Sequence, residues 1–159
     1  MPHFTRNQFV PAPPEKLWAF FVDASSIQKM APSIPGFEIL SKNKGTLEVG
    51  QTIKYQIKTF PGIKRRWFNR ITECVELNRL AEKQISGPFR YWHHRLEFEN
   101  RDNGVWMTNH VHFKIGNGIF SKLAYKYCVR PRLEEIFDFR TAYIEKNFGA
   151  SPALKGGVL

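Results

Sequence analysis

The sequence predicts an α+β fold: a curved antiparallel sheet of seven strands gripping a long C-terminal helix, with two short helices after strand 1. Three observations carry this. Between Phe37 and Ile115, six successive segments alternate apolar and polar residues with period two. The breaks between them are short and hold turn residues (Asn43-Lys44-Gly45, Pro61-Gly62, Leu77-Asn78, Gly87-Pro88, Asp102-Asn103-Gly104), so consecutive strands pair as an antiparallel meander. Outside that region the period becomes helical, briefly after Pro14 and at length after Gly118.

Residues 3–10 (HFTRNQFV) read as the first strand, ended by Pro11, Pro13 and Pro14. Pro14 suits the first turn of a helix, and EKLWAFFVD follows with Leu17, Phe20 and Phe21 at i, i+3 and i+4. Asp23-Ala24-Ser25 reads as a cap, and SIQKMA as a second short helix. Six strands follow: FEILSK, QTIKYQIKTF, IKRRWFNRITECVE, RLAEKQIS, YWHHRLEFEN and VWMTNHVHFKI. In the final helix Ser121 is the expected cap, and Pro131, lacking a backbone donor, should kink or interrupt it. Leu133, Ile136, Phe137, Ile144 and Phe148 form its apolar stripe. Residues 1–148 make one domain, and 149–159, rich in Gly, Ala and Pro, a flexible tail.

Composition narrows the function. The 159 residues suit one substantial core, and fourteen phenylalanines and four tryptophans supply bulk for a core or a cavity wall. No apolar run reaches the roughly 18 residues of a membrane span, and MPHFTRNQF lacks the apolar stretch of a secretion signal, so a cytoplasmic protein is expected. Cys74 and Cys128 fit no metal or redox spacing and read as free thiols. The net charge of +10 raises nucleic acid or an anionic surface, with Lys64, Arg65, Arg66 and Arg70 as the densest cluster. No nucleic-acid recognition motif accompanies them, so a solvated basic surface and no nucleic-acid partner are expected.

Strand facing selects the candidate site. In YWHHRLEFEN, Trp92, His94, Leu96 and Phe98 share one face, and His93, Arg95, Glu97 and Glu99 the other. The charged set belongs in water, so His94 points inward and His93 outward. Met107, Asn109, Val111, Phe113 and Ile115 form the inner face of the next strand, with His110 and His112 outside. Ile53, Tyr55 and Ile57 face in, and Ile63, Trp67 and Ile71 share a face with Arg65 and Asn69. RLAEKQIS is ambiguous: Leu80, Glu82 and Gln84 oppose Ala81, Lys83 and Ile85. If Leu80 decides, Glu82, Gln84, His94 and Asn109 from three neighbouring strands meet on the concave face. Such a group is either a self-satisfied network or the polar end of an otherwise apolar cavity.

Other chemistry is weaker. His110 and His112 share a face at i, i+2, yet nothing completes a metal set by spacing, and no metal is expected. No serine lies in a nucleophile elbow, and Gly116-Asn117-Gly118 lacks a phosphate-loop pattern. The loops 33–37 (SIPGF) and 60–63 (FPGI) carry apolar residues that suit either a cavity lip or local packing.

FTRNQFVPAPPEKLWAFFVD, ITECVELNRLAEKQISGPFRYWHHRLEFE, MTNHVHFKIGNG and RPRLEEIFDFR together resemble the START/Bet v 1-like superfamily, also called SRPBCC or the polyketide cyclase/lipid transport group. The likeness runs to about residue 140, and EKQISGPFRYWHH looks like a bacterial branch of small single-domain members. It implies a helix-grip fold with a deep apolar cavity between sheet and helix. Related sequences often carry an acid where this chain has Asn109, a departure that weakens acid–base chemistry on that strand.

The leading expectation is therefore a binding protein for a small hydrophobic ligand such as a lipid or polyketide, needing no cofactor. Trp67, Trp92, Phe98, Met107 and Phe113 would line the cavity, and Glu82, Gln84, His94 and Asn109 would fix the ligand's polar end. The alternative is a cyclase, dehydratase or hydrolase with His94 as acid or base and Glu82 orienting it. The partner is a small hydrophobic molecule, without integral membrane association, and a homodimer is left open.

Overall fold

The computed structural model describes residues 2–31, 36–59, 62–116 and 118–151. Their elements run β1 (His3–Val10), α1 (Pro14–Val22), α2 (Ala24–Lys29), β2 (Phe37–Ile39), β3 (Thr52–Thr59), β4 (Ile63–Val75), β5 (Arg79–Ser86), β6 (Tyr91–Arg101), β7 (Gly104–Lys114), α3 (Ile119–Ala124), a π-helical turn (Tyr125–Val129) and α4 (Arg130–Phe148). The seven strands form one antiparallel sheet in the order β1-β7-β6-β5-β4-β3-β2. β2 is shorter than its sequence suggests. Lip residues 33–35 and 60–61, and tail residues 152–159, lie outside the described residues.

Local chemistry explains the ends. Pro14 begins α1, where a missing backbone donor loses nothing. The Asp23 carboxylate accepts from the Ser25 amide at 2.8 Å and caps α2, a contact that holds its pKa below the ordinary value. Ser121 does not cap the last helix. It sits inside α3 and its hydroxyl donates back to the Gly118 carbonyl at 2.6 Å. The interruption expected at Pro131 lies just before it: the chain widens into the π turn and α4 resumes with Pro131 in its first turn. Pro131 offers no N–H to the preceding turn, so the ladder is re-spaced there rather than broken.

The grip is a row of contacts from alternate residues of β1. Phe4 packs on Phe137 with ring centroids 5.1 Å apart, Arg6 pairs with Asp138 at 2.8 Å, and the Gln8 amide donates to the Thr141 carbonyl at 3.1 Å. Two apolar groups fill the space between sheet and helix. One joins Leu17, Phe21, Phe98, Met107 and Ile144; the other joins Tyr55, Trp67, Trp92, Phe113 and Phe137. Ile63, expected inside, is instead exposed because it begins β4 beyond the end of the core.

Gly104 opens β7 where a Cβ would meet the carbonyl of Val10. Gly104→Val is therefore expected to destabilise the protein by about 2 kcal/mol or more, read from urea melts. An unchanged midpoint would show that the β1–β7 edge yields freely.

Candidate functional site

Period-two alternation places Glu82 directly opposite His94, and Asn109 on the diagonal from it. The phase of β5 is set by its two neighbours, since Glu82 lies opposite Ile71 of β4 as well as His94 of β6, and a register shift between Ile71 and Glu73 changes the phase of β4 beyond that point. Ile71 thus pairs with Glu82 on the inner face, and past the shift Glu73 pairs with Ala81 on the outer one. The ambiguity over β5 is thus settled: Glu82 lines the cavity, and Lys83 and Ile85 are exposed.

His94 is held at both ring nitrogens. Nδ1 lies 3.3 Å from Glu82 Oε1, and Nε2 lies 3.0 Å from Asn109 Oδ1. The side chains of His94 and Glu82 are only 14% and 15% exposed. With Asn109 presenting its oxygen, both nitrogens must donate and the ring is an imidazolium. With that amide turned, its nitrogen donates to Nε2 and the ring is neutral. In either arrangement Nδ1 donates to Glu82.

Burial alone would raise the pKa of Glu82. The hydrogen bond and charge of His94 oppose it, helped by Arg140 and Asn69, and the net direction is downward. Glu82 is therefore a carboxylate kept ionised in an apolar surround. Its neighbour Tyr55 moves the other way: burial first, then the Glu82 charge, push its hydroxyl well above the ordinary tyrosine range.

A cavity of about 80 Å3 opens beside this group, walled by apolar side chains that include Phe21, Met30, Met107 and Phe137. Its polar lining is Gln8, Tyr55, Glu82, His94, Asn109, Arg140 and Thr141. That volume holds two or three waters at about 30 Å3 each, well short of the roughly 300–1,000 Å3 of a typical small-molecule site. The deep cavity implied by the resemblance is thus largely filled by side chains in this conformation.

The expected site residues divide. Glu82, His94, Met107 and Asn109 border the cavity. Trp67, Trp92 and Phe113 do not; they pack on one another and on Phe89, with Trp67 and Trp92 edge to face at 4.8 Å. Phe98 packs edge-on against Trp18 and Phe21. Gln84 faces inward, yet its amide is spent on the Phe89 backbone, donating at 2.6 Å and accepting at 3.4 Å. The β5–β6 turn needs that clasp, which takes Gln84 out of the polar group.

Arg140 escaped the sequence reading. It stands at the i+3 position from Phe137 and i−4 from Ile144, on the buried stripe of α4, where a charge is the signal. Its Nε, Oε2 of Glu82 and both amide atoms of Asn69 are buried and lack an aligned hydrogen-bond partner among the described residues. Asn69 is 1% exposed. No group of three or more metal-ligating side chains is present among the described residues. Both cysteines are free, and burial raises the Cys74 thiol pKa.

A family model described as polyketide cyclase / dehydrase and lipid transport matches residues 10–137. No curated protein matches the chain. Among solved structures, TTHA0849 from Thermus thermophilus superimposes with a TM-score of 0.68 at 17% identity, over 91% of this chain and 95% of that one. Ara h 8.0201 gives 0.61 at 20% identity, over 92% and 99%. The di-domain ARO/CYC StfQ from the steffimycin biosynthetic pathway gives 0.63 at 12% identity, over 93% of this chain and 52% of that one. At these identities the likeness is one of fold.

Proposed function

The chain belongs to the polyketide cyclase/dehydrase and lipid-transport family, and from that premise we propose that it binds a small, mostly apolar molecule on the concave face of the sheet. The observation that supports this most is a polar group set in an apolar wall, Glu82, His94, Asn109 and Arg140, in which Oε2 of Glu82 and Nε of Arg140 lack an aligned hydrogen bond among the described residues. Leaving such atoms buried and unpaired costs about 1–3 kcal/mol each, a cost that a correctly placed ligand removes. A ligand hydroxyl would donate to Glu82, and a carbonyl would accept from Arg140. The matching chemistry is a hydroxylated, carbonyl-bearing hydrocarbon. Its bulk has to displace side chains, and Met30 and Met107, unbranched and adaptable, border the space.

The reading is tested by native mass spectrometry, with solvent extraction and identification of whatever is bound. A co-purifying molecule of this class is expected, and Glu82→Gln and Asn109→Leu should each weaken its binding about tenfold. An apo mass, with no melting shift from hydroxylated polyketides, sterols or fatty acids, would remove the proposal.

A second reading, a cyclase, dehydratase or hydrolase, is favoured by the carboxylate–imidazole pair itself. It requires Asn109 to release Nε2 of His94 so that the ring can exchange a proton with the ligand. His94→Ala would then abolish conversion while the ligand still binds.

A further inference from the structure

Residues 49–72, 83–96 and 103–133 hold six, three and five lysines or arginines respectively and no aspartate or glutamate. Folding gathers much of this charge at one end of the molecule. In an antiparallel meander the β3–β4 turn, the β5–β6 turn and the end of β7 lie at the same end of the sheet. Lys58 and Lys64 face each other across the first turn, with Arg65 and Arg66 beside them. Arg90 lies in the second turn, and Lys114 ends β7. The segment from α3 into the π turn belongs to the same end, since Tyr125 packs on Phe113 at 5.6 Å. Lys122 and Lys126 project from it. Among the described residues no carboxylate pairs with Lys58, Lys64, Lys114, Lys122 or Lys126. At the opposite end Glu73 pairs with Arg79 at 2.6 Å and Glu99 with Arg101 at 2.8 Å, while Glu134 and Glu135, just past the π turn, pair with Arg130 and Arg132.

The same basic end exposes large apolar side chains. Leu123 and Tyr127 stand one helical turn apart, 50% and 65% exposed, flanked by Lys122 and Lys126, and Ile63 at the head of β4 is 52% exposed. Lys126 Nζ sits 5.2 Å from the Tyr127 ring centroid. Cations around protruding aliphatic groups match an anionic lipid surface: the charges meet headgroups and the aliphatic tips enter the acyl boundary. A single-stranded nucleic acid would instead call for several aromatic faces on which bases stack, whereas of these three exposed groups Leu123 and Ile63 are aliphatic and Tyr127 alone is aromatic. No helix among the described residues is long and apolar enough to span a bilayer, so contact is peripheral.

We infer that this end, centred on Lys122, Leu123, Lys126 and Tyr127 with Lys58, Ile63 and Lys64, docks the protein on anionic membrane surfaces. The inference is independent of the cavity reading and stands if that reading fails. Flotation with phosphatidylcholine vesicles, with and without phosphatidylserine, tests it. The protein is expected to rise only with the phosphatidylserine vesicles, and to be released when salt is raised from about 0.05 M to about 0.5 M. The pair Lys122→Glu/Lys126→Glu and, separately, Leu123→Asp should each lower the bound fraction about tenfold. Circular dichroism and melting should not change, since these side chains are exposed. Failure of the unaltered protein to float at low salt would overturn the inference, as would flotation of both variants like the parent. Salt-dependent binding of single-stranded RNA without flotation would assign the surface to nucleic acid instead.

Discussion

His94→Leu is expected to cost about 3 kcal/mol of stability at neutral pH, because it strands an ionised carboxylate. Glu82 stays charged in the fold since His94 donates to it from 3.3 Å and, together with Arg140 and Asn69, outweighs desolvation. Its folded pKa lies below the ordinary glutamate value of about 4.3, so the pair contributes stability above that pH and loses it as pH falls through the folded value. In the variant desolvation dominates and the folded pKa rises. The penalty is then full at neutral pH and shrinks as Glu82 takes up a proton. Urea melts at about pH 7 and about pH 4 should show the gap between variant and parent closing on the acid side. The double replacement Glu82→Leu/His94→Leu should recover most of the loss, because it removes the charge together with its partner. A gap independent of pH would sink the electrostatic account and leave packing as the cause.

Phe113→Ala should be the most damaging single truncation, at about 3–5 kcal/mol. Phe113 is 0% exposed and packs on Trp92, Phe89 and Tyr125. Through Tyr125 it ties the sheet to the π turn, so the space it leaves cannot close without shifting the last helix. Phe113→Leu keeps most of the volume and should cost less than about 1.5 kcal/mol. The pair also separates wall from core. If Phe113 is core, as its packing indicates, the leucine variant keeps the parent's ligand preference. A changed preference at near-parent stability would put Phe113 in the ligand's path.

The inward turn of His94 and Asn109 was legible because their strands alternate cleanly, with charges on one face and hydrophobes on the other. β5 was not legible, since Leu80 and Ala81 suit the interior almost equally. The decision came from pairing, which puts Glu82 opposite Ile71 on one side and His94 on the other, a register that no property of RLAEKQIS encodes. Gln84 shares the parity of Glu82, yet its role was set by the path of the β5–β6 turn, whose backbone it clasps. Arg140 carried a visible signal, a charge on an apolar stripe, which becomes meaningful only once the opposite wall is known to hold a carboxylate.

By itself the sequence determined the order of elements, the antiparallel meander and the facing of most strands. These follow from periodicity and turn chemistry, which act between residues close along the chain. The same holds for the carboxylate-free stretches, a property of the chain before it folds. Only the tertiary structure decided that Arg140, Asn69 and Tyr55 surround Glu82, that Trp67, Trp92 and Phe113 fill space, and that the cavity is as small as about 80 Å3. Those outcomes depend on how closely α4 approaches the sheet and on which long side chains reach across the gap. That separation is set by packing many residues at once, and no local pattern in the chain records it.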